Sequence, residues 1–108
     1  MKRVAVLGCT GSIGVNTLDV LGQHPDRYVV TALAAASSHA ALYEQCLRFR
    51  PAVAVLQDAN AAAELAVNLR RADCATEVVC GLDALNAVAA SPDVDVVMAA
   101  IVGAAGLP

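Results

Sequence analysis

Gly8, Gly11 and Gly14 follow the apolar run Val4-Ala5-Val6-Leu7 directly, in the pattern G-x-x-G-x-x-G, and are the residues here best placed to do chemistry. A strand that turns into a helix over such glycines makes a phosphate cradle. One glycine allows the sharp turn, one lets backbone N–H groups approach a pyrophosphate, and one lets helix and sheet pack closely, each standing where a Cβ would clash. Gly11 stands one position later than the second glycine of G-x-G-x-x-G, so the loop offers Thr10 as a further phosphate contact. A tight turn with no ligand is the alternative, because a glycine triplet alone is a weak signal.

A second segment bears on which dinucleotide would fit. An Asp or Glu at the end of the second strand of such a fold hydrogen-bonds the ribose 2′-OH and repels a 2′-phosphate. This chain has Ala34-Ala35-Ala36-Ser37-Ser38-His39 there, with two hydroxyls and an imidazole at a helix start and no acid. Such donors accept an anion with help from the helix dipole, which favours NADP over NAD; capping of the helix by Ser37 or Ser38 is the equal alternative. Cys9 lies in the glycine loop near a helix N-terminus, a position that can lower a thiol pKa, but any small side chain would fit there and that reading is preferred. Asp93 and Asp95 flank the start of the fifth strand, the end of the sheet opposite a ligand crevice, and Asp83 lies early in a helix, so all three read as caps or solvated charges. No Ser/His/Asp set and no paired carboxylates emerge, so no catalytic residue is assigned.

Alternating elements must position these segments. Strands are expected at Arg3 to Leu7, Tyr28 to Ala34, Val53 to Leu56, Thr76 to Val79 and Val94 to about Ala100. Between them, a helix from Ser12 to about Gly22 carries Ile13, Thr17, Leu18 and Leu21 on one face, and a second from His39 carries Leu42, Cys46, Leu47 and Phe49 until Pro51. Asp58 can cap a third, with Ala62, Leu65, Ala66 and Leu69, that runs to about Arg71; Gly81 opens a fourth, with Leu82, Leu85, Val88 and Ala89, which Ser91-Pro92-Asp93 breaks. Parallel neighbours need crossovers, so the alternation predicts a doubly wound, Rossmann-like α/β fold: a parallel sheet with helices on both faces. The small-residue segments Gly8 to Gly14, Ala34 to His39, Cys80-Gly81 and Ala99 to Gly103 fall at the carboxyl ends of strands, where ligands bind in such sheets. The end at Gly103-Ala104-Ala105-Gly106-Leu107-Pro108, where another crossover should begin, reads as a cut.

Size and composition set outer bounds. A chain of 108 residues suits one domain, 1–108, and is too short for a cofactor domain plus a catalytic one. Its residues are 58% hydrophobic and its mean hydropathy is +0.62, but Ala and Val supply the excess and no apolar run is long enough to suggest a membrane span. Met1-Lys2-Arg3 leads into a short strand without the apolar stretch of a secretory signal, which makes the cytoplasm the default. Cys9, Cys46, Cys74 and Cys80 form no C-x-x-C pair, and His24 and His39 stand at no metal-ligand spacing to them. A net charge of −3 and the lack of a Lys/Arg cluster argue against a nucleic-acid partner.

Two segments carry a resemblance. Leu7-Gly8-Cys9-Thr10-Gly11-Ser12-Ile13-Gly14 with Thr17-Leu18-Asp19-Val20, and far downstream Val97-Met98-Ala99-Ala100-Ile101-Val102-Gly103-Ala104-Ala105-Gly106-Leu107, resemble the N-terminal part of the 1-deoxy-D-xylulose 5-phosphate reductoisomerase family, as do Glu44-Gln45-Cys46-Leu47 and Thr76-Glu77-Val78. The resemblance implies an NADPH-dependent oxidoreductase of non-mevalonate isoprenoid biosynthesis. Such an enzyme rearranges and reduces the sugar phosphate to 2-C-methyl-D-erythritol 4-phosphate with a divalent metal, Mg or Mn, and acts as a cytoplasmic homodimer. By this similarity Thr10, Gly11, Ser12 and Ile13 hold the NADPH phosphates, and Ala36, Ser37 and Ser38 form the loop at the adenosine 2′-phosphate. Many members have a Gly-Lys-Asn-type triplet at that loop, so this chain must rely on hydroxyls or on His39 in place of the lysine charge. The resemblance puts the metal ligands and the substrate-phosphate site outside these residues, so the segment alone is expected to be inactive. A non-catalytic dinucleotide-sensing module and an inert fragment are the other readings.

Overall fold

A computed structural model describes residues 1–99. Five strands and four helices alternate: β1 (Lys2–Leu7), α1 (Ser12–Gly22), β2 (Tyr28–Ala35), α2 (His39–Phe49), β3 (Val53–Leu56), α3 (Ala59–Arg71), β4 (Glu77–Cys80), α4 (Leu82–Ala89) and β5 (Val96–Ala99). All neighbouring strands are parallel, in the order β4-β3-β2-β1-β5. The chain builds outward from β1 on one side and then crosses to β5 on the other. The reversal therefore lies beside β1, whose carboxyl end carries the glycine loop.

β1 is buried from Val4 to Leu7, as a central strand covered on both faces must be. On one face, Val4 and Val6 join Leu18 and Leu21 of α1, Leu42 and Cys46 of α2, and Leu65 and Leu69 of α3 in the main core. On the other face, Ala5 and Leu7 meet Ala32, Ala34 and Val55 beneath Val88 of α4. Helices thus cover both faces, three against one. Full burial of side chains such as Leu18, Leu42 and Leu65 is worth roughly 1.5–3 kcal/mol each, so α1, α2 and α3 hold the sheet far more firmly than α4 does.

Several sequence expectations are corrected. Spacing puts Ile13 on one face of α1 with Thr17, Leu18 and Leu21, yet Ile13 is 50% exposed, and Gly14, Leu18 and Leu21 do the packing. Leu82 is 64% exposed because it opens α4 at the sheet margin, which leaves Val88 as that helix's buried residue. β4 begins one residue later than expected, at Glu77, whose N–H reaches the Ala52 carbonyl. β5 starts at Val96 because Asp95 turns its backbone and carboxylate to Arg3 instead of pairing onward. The register of β1 against β2 slips between Val4 and Ala5, so Thr31 is an extra residue that bends β2. Asp95 and Asp93 indeed lie at the amino end of the sheet: Asp95 pairs with Arg3 through both carboxylate oxygens at 3.2 Å. The Ala100-to-Leu107 part of the sequence resemblance, the end of the fifth strand at Ala100 and all but Ala99 of the Ala99-to-Gly103 segment lie outside the described residues.

Candidate dinucleotide site

The β1–α1 turn is held from three directions. The N–H groups of Gly8 and Cys9 both donate to the Ala34 carbonyl of β2, at 2.8 and 3.0 Å, and the Gly11 N–H returns to the Gly8 carbonyl at 3.3 Å. From behind, Gln45 Nε2 of α2 donates to the Cys9 carbonyl at 2.7 Å. What remains is a row of donors. Thr10, Ser12, Ile13 and Gly14 have backbone N–H groups without an acceptor among the described residues, and α1 has no side-chain cap at Gly11.

The three glycines divide their work unevenly. Gly8 has φ +78°, a left-handed conformation that side chains rarely adopt, and makes the turn. A Cβ on Gly14 would lie 2.1 Å from the Gly8 carbonyl oxygen and 2.6 Å from the Cys9 Cα, so Gly14 lets α1 close on the turn. Gly11 differs: its φ is an ordinary −78°, and a Cβ there would meet only the Gly8 oxygen, at 3.7 Å. The fold thus accounts for Gly8 and Gly14, the turn and the close packing expected of two of the three glycines, and gives no reason for Gly11. Nothing in the fold demands glycine there.

That row borders a cleft of about 570 Å³ above the carboxyl ends of β1, β2 and β3. Thr10, Gly11, Ser12, Ile13 and Ala36, all singled out from the sequence, line it together with Gly8, Ala34 and Ala35. Ile13, half exposed, is part of this lining. Ser37 and Ser38 lie just outside the lining, exposed on the adjoining loop that leads into α2. Ser38 occupies the N-cap position of α2 without making a side-chain cap, so the capping alternative for it fails. The Nδ1 of His39 is buried without a partner at the start of the same helix.

Sequence reasoning missed Gln57 and Leu85 in the lining. Gln57 follows the last residue of β3, a strand end not among the segments singled out, although the same strand-end rule applies there. Leu85 reaches the cleft only because α4 crosses the opposite face of the sheet. Cys9 is corrected as well: it is fully buried, and burial pushes its thiol up to about 12, so the helix N-terminus does not activate it. Among the described residues no group of three or more His, Cys, Asp or Glu side chains is placed to hold a metal, and no helix is long and apolar enough to cross a membrane.

A diphosphate fits this arrangement, since it needs converging backbone donors at a helix start and an approach unblocked by a Cβ. Comparison with known proteins agrees. The family model of 1-deoxy-D-xylulose 5-phosphate reductoisomerase matches residues 4–108. Proteins of that name from Aromatoleum aromaticum and Nitrosospira multiformis are 58% and 56% identical over 107 residues. The match takes in 99% of this chain and 27% of theirs, so the chain spans about a quarter of the length of these curated relatives. A crystal structure of a reductoisomerase in complex with NADPH, fosmidomycin and magnesium is similar with TM-score 0.91 and 37% identity, over 99% of this chain and 26% of that one. The Zymomonas mobilis enzyme in complex with NADPH is similar with TM-score 0.84 and 40% identity, over 98% and 27%. With its fold, its glycine turn and its sequence in agreement, this chain belongs to the 1-deoxy-D-xylulose 5-phosphate reductoisomerase family.

Proposed function

We propose that residues 1–108 are the NADPH-binding portion of an enzyme that isomerises and reduces 1-deoxy-D-xylulose 5-phosphate to 2-C-methyl-D-erythritol 4-phosphate. The observation that carries this is Gly11, a glycine that the fold does not require, at the mouth of an uncapped helix. Bound there, NADPH supplies the hydride. The backbone N–H groups of Thr10, Ser12 and Ile13 hold the diphosphate, Gly11 leaves room for it, and the dipole of α1 favours its charge. The apolar Ile13, Ala34 and Leu85 keep water from the cleft walls. Ala36, Ser37 and Ser38 take the adenosine 2′-phosphate, with hydroxyl donors in place of a cation. The divalent metal, the sugar phosphate and the catalytic groups belong to the rest of the enzyme, which acts as a homodimer in the cytoplasm.

Titration of the chain with NADPH and NADH tests the cofactor assignment. NADPH is expected to bind more tightly, and Ser37→Ala with Ser38→Ala should narrow the gap several-fold by weakening NADPH alone. Equal or absent binding of the two cofactors would overturn it. Turnover by the complete enzyme with Mg²⁺ and the sugar phosphate separates this function from a sensing role, which predicts binding without turnover.

A further inference from the structure

The segment Glu44-Gln45-Cys46-Leu47 lies in the middle of α2, away from the cleft, yet one of its side chains reaches the glycine loop. Gln45 Nε2 donates to the Cys9 carbonyl at 2.7 Å, a contact between residues 36 apart in sequence. The orientation of this amide is unambiguous, because a carbonyl only accepts and Oε1 turned to it would be repelled. Both ends of the contact are rigid. Cys9, Leu42 and Cys46 are all fully buried in one apolar cluster, so neither the loop nor the helix can drift from the other. Gln45 Oε1 is itself buried without a partner, a penalty that an apolar side chain of the same length would avoid.

In a trans peptide the C=O and the following N–H point in opposite directions. Drawing the Cys9 carbonyl back toward α2 therefore drives the Thr10 N–H forward, to the side on which Thr10 lines the cleft and where its N–H has no internal acceptor. The Gly8 and Cys9 N–H bonds to Ala34 fix the peptide units before this one, and the Gly11 N–H bond fixes the unit after it. Gln45 is the one side chain with a hydrogen bond to this turn from another element among the described residues.

We propose that Gln45 is a positioning residue of the dinucleotide site: its amide holds the Cys9–Thr10 peptide so that the Thr10 N–H faces the cofactor's diphosphate. This rests on the NADPH assignment above. α2 also starts at the Ala36-Ser37-Ser38 loop, so the same helix braces the diphosphate turn from behind and carries the loop at the 2′-phosphate.

The test is NADPH binding by the full chain, as wild type and as Gln45→Met and Gln45→Glu. Met keeps the length and loses the donor, and the affinity for NADPH should fall about ten-fold. Glu sets a carboxylate against the carbonyl and should weaken binding further at pH 8. A role in stability alone predicts lowered melting temperatures with NADPH affinity unchanged, and that result would overturn the proposal. A direct measurement needs no variant: in the wild type, exchange of the Thr10 amide hydrogen should be fast in the free protein and slowed by NADPH. A Thr10 amide that NADPH leaves unprotected would also overturn it. Failure of the wild type to bind NADPH would remove the cofactor assignment itself, and this inference with it.

Discussion

The helices α1 and α3 begin in opposite ways. Both follow parallel strands at the same end of the sheet, but α3 is closed by its own cap: the Asp58 carboxylate accepts the Ala61 N–H at 2.9 Å. α1 has glycine at the corresponding position and leaves its first N–H groups open. A capped start stabilises the fold by about 1 kcal/mol, and an open start forgoes that in exchange for a place where an anion can sit. A missing cap alone does not mark a site, since α2 and α4 also start without one; what sets α1 apart is that its open start borders the cleft. α2 falls between the two, with Ser38 at its N-cap position and its hydroxyl unused for capping.

The largest way to break this contrast is Gly14→Val. Its Cβ would drive into the Gly8 carbonyl and the Cys9 backbone, and we expect a loss of ~3 kcal/mol or more, read as a collapsed melting transition or insoluble protein. Gly11→Asp separates the site from the fold. The extended backbone at Gly11 suits an N-cap, so the melting temperature should hold or rise, while a carboxylate on the N–H row should weaken NADPH about 100-fold or more in a titration. A fall in stability equal to that of Gly14→Val would show that Gly11 serves the fold after all. Asp58→Ala is the mirror experiment: it should lower stability by about 1 kcal/mol in denaturant unfolding and leave NADPH affinity unchanged.

The smallest effect lies at the far end of the sheet. The Arg3 side chain and backbone N–H hold the Asp95 carboxyl down at about 2 against an ordinary 3.8. The folded state thus favours the ionised form, so this contribution is complete above pH 3.8 and is lost as pH falls toward 2. Melting curves of the wild type and Asp95→Asn should differ slightly at pH 7, less so in high salt because the pair is exposed, and converge near pH 2.

Much of this was legible along the chain. The order of elements, the glycine turn and the Asp58 cap follow from local causes: apolar runs of strand length, helical spacing of Leu65 and Leu69, and residues such as Asp58 that satisfy a nearby backbone group. For Ile13 and Cys9 the local pattern leaves two readings open, because it cannot tell which side of a short apolar segment meets the sheet. Ile13 belongs to the apolar stripe of α1 by spacing, yet it is half exposed and lines the cleft. Cys9 sits beside a helix start but beneath Leu42 and Cys46, where burial outweighs the dipole.

Residue types and their spacing were enough to determine that the chain alternates strand and helix and turns over glycines after its first strand, since those properties depend on neighbours only a few positions apart. Which glycines the fold requires, and that Gln45 hydrogen-bonds the turn, were decided by the strand order. By setting β2 beside β1 and laying α2 against α1, the sheet brings residues 36 positions apart to within 2.7 Å of one another, a meeting that no local preference encodes.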